Sequence, residues 1–217
     1  MAGLRLGHVS ALRVGNAPES LEGLLGRFEV LAPPVSTARA AVTIVLRRGE
    51  SEIEVLLIVR ADNPNDPASG DVAFPGGHVA EGDGSLASTA LRELEEEVGL
   101  TATDLDGPLR FVGTELGPRL AFRVGVFAAA IAPVGQPPTA RSAEEVAHVF
   151  WLPRSALGTT RTVTRDTSRG SIEVNASVIE GHVLWGFTRR VLREFFGLPT
   201  EDERLGPAFA RPSTHLP

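Results

Sequence analysis

Residues 74–100 read FPGGHVAEGDGSLASTALRELEEEVGL, and this stretch carries the strongest structural signals in the chain. Its second half places Leu91, Leu94 and Val98 on one face of a helix, and that face must be buried. Ser85 is a favoured N-cap residue type, and Gly99 suits a left-handed C-cap. The stretch therefore predicts a helix from Ser85 to Val98. The glycine-rich first half predicts a turn that leads into this helix.

Three glutamates, Glu93, Glu96 and Glu97, crowd this predicted helix. Carboxylates three and four residues apart repel one another, and the carboxyl end of a helix disfavours negative charge. A divalent cation would relieve both penalties, and oxygen ligands suit Mg²⁺ or Mn²⁺ rather than zinc. The alternative is a solvated acidic face that pairs with Arg92 and holds no metal. Residues 92–100 alone do not decide between a metal site and a solvated acidic face.

Composition narrows the class of protein. The 217 residues are 42% hydrophobic and 22% charged, which is typical of one globular domain with extensions. A net charge of −6 argues against binding to a nucleic-acid polymer and leaves small anionic ligands open. The absence of cysteine excludes disulfides, thiolate metal sites and a cysteine nucleophile. We find neither a signal peptide nor an apolar run long enough to span a bilayer, so we expect a cytoplasmic protein with no membrane partner.

The rest of the chain predicts strands interspersed with a few helices, which is typical of a layered α/β or α+β domain. The predicted strands are 40–46, 53–59, 109–115, 119–130, 149–152, 161–164, 172–174 and 183–185, and the other predicted helices are 18–28, 155–157 and 186–196. Residues 47–51 predict a hairpin turn, and residues 62–70 predict a loop. The tail from residue 200 is expected to be extended or partly disordered.

The glutamate-rich helix and the segment before it resemble the Nudix box, G-x5-E-x7-R-E-U-x-E-E-x-G-U, in which U is aliphatic. Every defined position of its second half is filled, by Arg92, Glu93, Leu94, Glu96, Glu97, Gly99 and Leu100. In the first half, one extra residue separates Gly77 from the arginine, and Asp83 or Glu81 fills the first acidic position. The sequence Phe-Pro-Gly-Gly, with Asp83 and Ser85 at their spacing, is similar to the coenzyme A diphosphatase branch of the Nudix hydrolases.

This resemblance covers roughly residues 39–197. We therefore expect an N-terminal extension with a short helix at 1–38, a Nudix hydrolase domain at 39–197 and a tail at 198–217. One departure concerns the loop after Arg60, where the branch usually carries a basic residue. Here residues 62–67 read DNPNDP, which is acidic and rich in proline.

The resemblance implies an α/β fold, specifically an α/β/α sandwich with a mixed β-sheet. It also implies Mg²⁺- or Mn²⁺-dependent hydrolysis of a nucleoside diphosphate linked to another moiety, with two or three ions at the site. Coenzyme A or a derivative is the first expected substrate, and ADP-ribose, NADH or another such conjugate is the alternative. A catalytically silent nucleotide-binding domain is a third interpretation. The expected partner is a small nucleotide, and the apolar closing helix could serve a homodimer interface.

Carried over by position, the resemblance also assigns roles to single residues. The implied metal ligands are the Gly76 carbonyl, Glu93, Glu96 and Glu97, and the implied catalytic carboxylates are Glu93, Glu96 and Glu145. Structural support of the site would come from Arg92, Asp83 and Gly77. Substrate binding would fall to Arg60, His78, Arg119 and Arg123.

Overall fold

A computed structural model describes residues 20–64, 66, 68–116, 122–132, 137–167 and 170–199. Predictions that fall on the tail from residue 200, or on residues before 20, lie outside these ranges. Within the described residues, no helix is long and apolar enough to cross a membrane.

The described residues form strands and helices in an order close to the predicted one. The strands are β1 (Ala40–Arg48), β2 (Ile53–Arg60), β3 (Val72–Ala73), β4 (Gly76–His78), β5 (Arg110–Leu116), β6 (Arg123–Ala130), β7 (Val146–Pro153), β8 (Arg161–Thr167), β9 (Gly170–Ile179) and β10 (His182–Leu184). The α-helices are α1 (Leu21–Leu25), α2 (Leu86–Val98) and α3 (Gly186–Phe195). Short 3₁₀ helices lie at Val35–Thr37, Ala102–Asp104 and Arg154–Gly158.

The central sheet has the strand order β3-β2-β1-β6-β5, with β4 also paired to β1 and β7 to β2. Strands β1 and β6 run parallel, whereas the neighbouring pairs run antiparallel, so the sheet is mixed. Strands β8, β9 and β10 form a separate antiparallel sheet. The predicted hairpin turn between β1 and β2 is confirmed by their antiparallel register.

Helices cover both faces of the central sheet. Leu94 of α2 packs on one face with Val45, whereas Val191 of α3 packs on the other face with Ile44, as do two leucines of α1. Adjacent residues of β1 point to opposite faces, so a strand covered on both sides needs consecutive apolar residues. The predicted α/β/α sandwich is confirmed. The apolar face of α3 is buried in this core, and a homodimer stays a prediction.

Both predicted ends of α2 are confirmed. The Ser85 hydroxyl accepts a hydrogen bond from the Ser88 amide at 3.1 Å, which satisfies one of the free amides of the first turn. Gly99 has φ 72° and closes the helix in the left-handed conformation, with its amide donating to the Glu95 carbonyl.

Several sequence-based predictions were wrong in detail, and β9 has ten residues rather than the predicted three because it pairs with both β8 and β10. The segment predicted as a glycine-rich turn contains β4, because its glycine backbone pairs with β1 over Ala40–Val42. Strand β7 is twice the predicted length, since β2 pairs with it almost throughout. Helix α1 has five residues rather than the predicted eleven, and its C-cap is Gly26.

We predict that Leu94→Ala lowers the free energy of unfolding by about 2–5 kcal/mol, because it leaves a cavity between α2 and the sheet. Leu94 is fully buried. Urea unfolding followed by circular dichroism measures the change. The neighbouring exposed residue provides the control: Glu95→Ala should stay within about 0.5 kcal/mol of wild type.

Candidate active site

The candidate site lies where β4 passes α2. The Gly76 amide donates a hydrogen bond to the Glu97 carboxylate at 2.8 Å. A Cβ on Gly77 would lie 2.6 Å from the carboxyl carbon of Glu93. Glu93 and Glu97 are 8% and 2% exposed. Both carboxylates therefore face the glycine backbone rather than solvent.

The burial of these two glutamates changes their protonation. Burial raises the pKa of Glu97 to about 8, and the nearby negative charge of Glu93 adds to the rise. Burial also raises the pKa of Glu93, although the neighbouring Arg92 opposes it. A buried carboxylate that lacks a cation favours its neutral form. A positive charge placed between β4 and α2 would therefore stabilise the ionised forms of Glu93 and Glu97.

Arg92 ties the helix to the loop before it. Its guanidinium contacts carboxylate oxygens of Glu93 at 2.9 Å, Glu96 at 2.8 Å and Asp83 at 3.2 Å, and it donates to the His78 carbonyl at 2.9 Å. Hydrogen bonds from Arg92 hold the pKa of Asp83 at about 2. Of the two acidic residues considered for this position, Asp83 makes these contacts and Glu81 is exposed.

The carboxylate oxygens of Glu93, Glu96 and Glu97 are ligands of the type that a hard divalent cation prefers. In this structure, however, the three side chains do not surround a single point. The Glu96 side chain is 54% exposed and bound to Arg92. Among the described residues, no three His, Cys, Asp or Glu side chains lie close enough to hold a metal ion. Glu96 is therefore exposed to solvent, whereas Glu93 and Glu97 are buried. The two buried carboxylates are oxygen ligands of the kind that Mg²⁺ prefers, and they lie against a glycine backbone.

Glu145 and Arg60 lie at the edge of this pair. The negative charge of Glu145 contributes to the raised pKa of both Glu93 and Glu97. The Glu145 carbonyl accepts from the Ala61 amide at 2.9 Å, which joins the start of β7 to the end of β2. The positive charge of Arg60 opposes the rise in the pKa of Glu97.

The remaining predicted substrate-binding residues have different surroundings. His78 is exposed on β4, with Nδ1 3.2 Å from the Arg39 carbonyl and its ring 5.1 Å from that of Phe122. Arg123 is exposed at the start of β6 and donates to the Thr114 hydroxyl at 3.4 Å. Arg119 lies outside the described residues.

One contact group beside the site was missed by sequence reasoning. Asp71, which precedes β3, accepts from Arg165 at 2.6 Å and from the Trp185 indole at 2.9 Å through the same oxygen. These partners lie about a hundred residues further along the chain, on β8 and at the start of α3. No local sequence pattern could have paired them.

Comparison with known proteins identifies the family. The family model of the NUDIX domain matches residues 37–171. The chain belongs to the Nudix family, and it is a hydrolase. It is 35% identical over 190 residues to "Uncharacterized Nudix hydrolase NudL" of Cronobacter sakazakii, covering 82% of this chain and 94% of that protein.

A second relative has the same name and a similar match. The NudL protein of Shigella flexneri serotype 5b is 34% identical over 186 residues, which cover 81% of this chain and 92% of that one. Among solved structures, a MutT/nudix family protein from Enterococcus faecalis is similar at a TM-score of 0.49 and 18% identity, covering 77% of this chain and 62% of that one. The expected membership of the Nudix hydrolases is confirmed.

We predict that Gly77→Ala destabilises this Nudix hydrolase by about 1–3 kcal/mol, because a methyl group would displace the Glu93 carboxylate. Urea unfolding measures the change. Gly84→Ala is the matched control: a Cβ at Gly84 meets nothing within 4 Å, and its φ is not in the left-handed region. Equal effects of the two substitutions would contradict the close packing of Glu93.

We predict that the metal-free hydrolase loses stability as pH rises from about 4.5 to about 8. Glu97 has a higher pKa in the native state than in the unfolded chain, so the native state binds this proton more tightly. The resulting stabilisation is complete below the unfolded pKa and is lost as pH rises through the native one.

Calorimetric melting of the Glu97→Gln variant in EDTA tests whether Glu97 causes this loss of stability. The variant should melt above wild type at about pH 8.5 and no higher than wild type at about pH 4. Parallel pH profiles for the two proteins would show that Glu97 does not cause the loss.

Proposed function

We propose that this Nudix hydrolase cleaves the diphosphate bond of a nucleoside diphosphate linked to another moiety, with coenzyme A or a derivative as its substrate. The observation that carries the proposal is the pair of buried carboxylates, Glu93 and Glu97, held against the Gly76–Gly77 backbone. Water would attack phosphorus, and coenzyme A would yield a phosphopantetheine product and adenosine 3′,5′-bisphosphate.

The proposal includes Mg²⁺ or Mn²⁺, with two or three ions bound together with substrate. The residues that would hold them are Glu93, Glu96, Glu97 and the carbonyl of Gly76. When bound, such ions lower the pKa of a water molecule and neutralise charge on the diphosphate. The raised pKa of Glu97 supports this assignment, because a cation would remove the cost of ionising a buried carboxylate.

The protein's own groups would orient the reactants. Glu93 or Glu145 would orient the attacking water and take its proton, because Glu93 belongs to the buried pair and Glu145 precedes β7 at the end of β2. Arg92 is a positioning residue, because its bonds to Asp83 and to Glu93 hold the loop and helix together. Exposed Glu96 completes the set of carboxylates from the solvent side.

A second candidate substrate is ADP-ribose or NADH. The observation in its favour is that Asp66 neutralises Arg60 beside the site. Coenzyme A carries an additional 3′-phosphate, and this phosphate would have to displace Asp66 before it could bind Arg60. The third interpretation, a silent nucleotide-binding domain, is weakened because the chain carries every glutamate that the resemblance implies as a metal ligand, namely Glu93, Glu96 and Glu97.

The proposal also covers the organisation of the chain. Residues 39–197 would form the catalytic domain, with extensions at 1–38 and 198–217. The described strands and helices from β1 to the end of α3 support these limits. The partner would be a small nucleotide, in keeping with the net charge of −6.

Product analysis on purified protein tests the function. With Mg²⁺ or Mn²⁺, we expect coenzyme A to release adenosine 3′,5′-bisphosphate faster than ADP-ribose, NADH or diadenosine polyphosphates release their products, measured by anion-exchange chromatography. Faster hydrolysis of ADP-ribose or NADH would support the proposed reaction but reject coenzyme A as its substrate. Release of product from none of these substrates would reject the proposed reaction on all of them.

Glutamine variants on α2 test the metal assignment in the same assay. Glu97→Gln should lower kcat by about a hundredfold or more, because it removes a proposed metal ligand. Glu95→Gln is the matched control on the same helix, since Glu95 is exposed and lies outside the defined motif positions. Unchanged hydrolysis by Glu97→Gln would contradict the assignment.

A further inference from the structure

Asp66 already binds the arginine that lies beside the carboxylate pair. Arg60 ends β2, and its Nε and Nη2 both donate to Oδ2 of Asp66, at 2.9 and 2.6 Å. The side chains of Arg60 and Asp66 are 32% and 22% exposed. The ion pair is therefore close enough to solvent for a dissolved anion to compete with the carboxylate.

Backbone contacts keep Arg60 near the site. Its amide donates to the Asp71 carbonyl at 3.0 Å, and the next residue, Ala61, donates to the Glu145 carbonyl at 2.9 Å. The charge of Arg60 acts on Glu97. Arg60 thus lies where the loop that starts at residue 61 leaves β2, beside the start of β7.

We propose that Asp66 is a specificity-determining residue, which competes with a phosphate group of the substrate for the guanidinium of Arg60. This inference rests on the proposed function, because the competing ligand is a nucleoside diphosphate. Phosphate oxygens accept from the Nε and Nη2 edge of arginine in the same way as a carboxylate. Substrate binding then exchanges one anionic partner of Arg60 for another.

The need to displace Asp66 favours ligands with more than one negative charge. A ligand must replace a carboxylate that already accepts two charge-assisted hydrogen bonds. A diphosphate with several charged oxygens meets this requirement better than a phosphodiester with a single negative charge. Asp66 would therefore raise KM most for ligands with little negative charge and least for diphosphates, while leaving the chemical step unchanged.

A single substitution at Asp66 can remove the ion pair with Arg60 and keep the hydrogen bond within the loop. The second oxygen of Asp66, Oδ1, accepts from the Ala68 amide at 2.9 Å. Asp66→Asn retains an oxygen for Ala68 and replaces Oδ2 by an amide that cannot accept from Arg60. Asp62→Asn is the matched control: it removes the same charge from the same loop, and Asp62 accepts from the Ser69 hydroxyl at 3.0 Å.

Two measurements test the competition, with Mg²⁺ present in both. We expect Asp66→Asn to lower KM for the best substrate of the panel about three- to tenfold with kcat unchanged, and Asp62→Asn to leave KM within about twofold. Titration calorimetry should show the same tightening for inorganic pyrophosphate. Asp66→Ser, which keeps an acceptor for Ala68, is the second variant if the asparagine protein does not fold.

The inference is overturned if Asp66→Asn changes neither KM nor the affinity for pyrophosphate, or if Asp62→Asn lowers both equally. It is also overturned if Asp66→Asn has its full effect in an Arg60→Gln background, where the pair is already broken. Pyrophosphate binding needs no turnover. Tighter binding by Asp66→Asn in a protein that hydrolyses none of the panel would reject the proposed function and retain the role of Asp66.

Discussion

Two carboxylates buried against a glycine backbone are the constraint on which the site depends. Glu93 and Glu97 are one helical turn apart, so both can face β4 only if α2 lies directly over that strand. Gly77 leaves room for one carboxylate, and the Gly76 amide binds the other. The sandwich provides this arrangement, because the apolar stripe of α2 packs on the sheet beside the two glutamates.

The cost of burying negative charge is only partly offset by neighbouring groups. Arg92 pairs with Glu93, Glu96 and Asp83, whereas Glu97 has an amide donor and a raised pKa. Ion pairs with one guanidinium cannot neutralise three carboxylates. This excess of buried negative charge is the physical reason to expect a divalent cation. It is a stronger argument for a cation than the spacing of the glutamates along the helix.

Local patterns predicted α2 because all its determinants are local. The cap residues Ser85 and Gly99, the apolar stripe and the motif spacing lie within 27 residues. Strand β4 was missed because Gly76 and Gly77 have low intrinsic strand propensity, and only pairing with β1 makes them extended. Asp83 was one of two candidates until its contacts with Arg92 and Thr89 were known.

Motif spacing and hydrophobic periodicity are properties of short segments, so they were sufficient to predict the family, the carboxylate helix and the alternation of strands and helices. Tertiary structure alone decided which glutamates are buried: Glu97 meets Gly76, whereas Glu96 stays in solvent. It also decided that Asp71 meets Arg165, 94 residues away. Such contacts depend on how the sheets and helices pack, and this packing brings together residues that no local pattern relates.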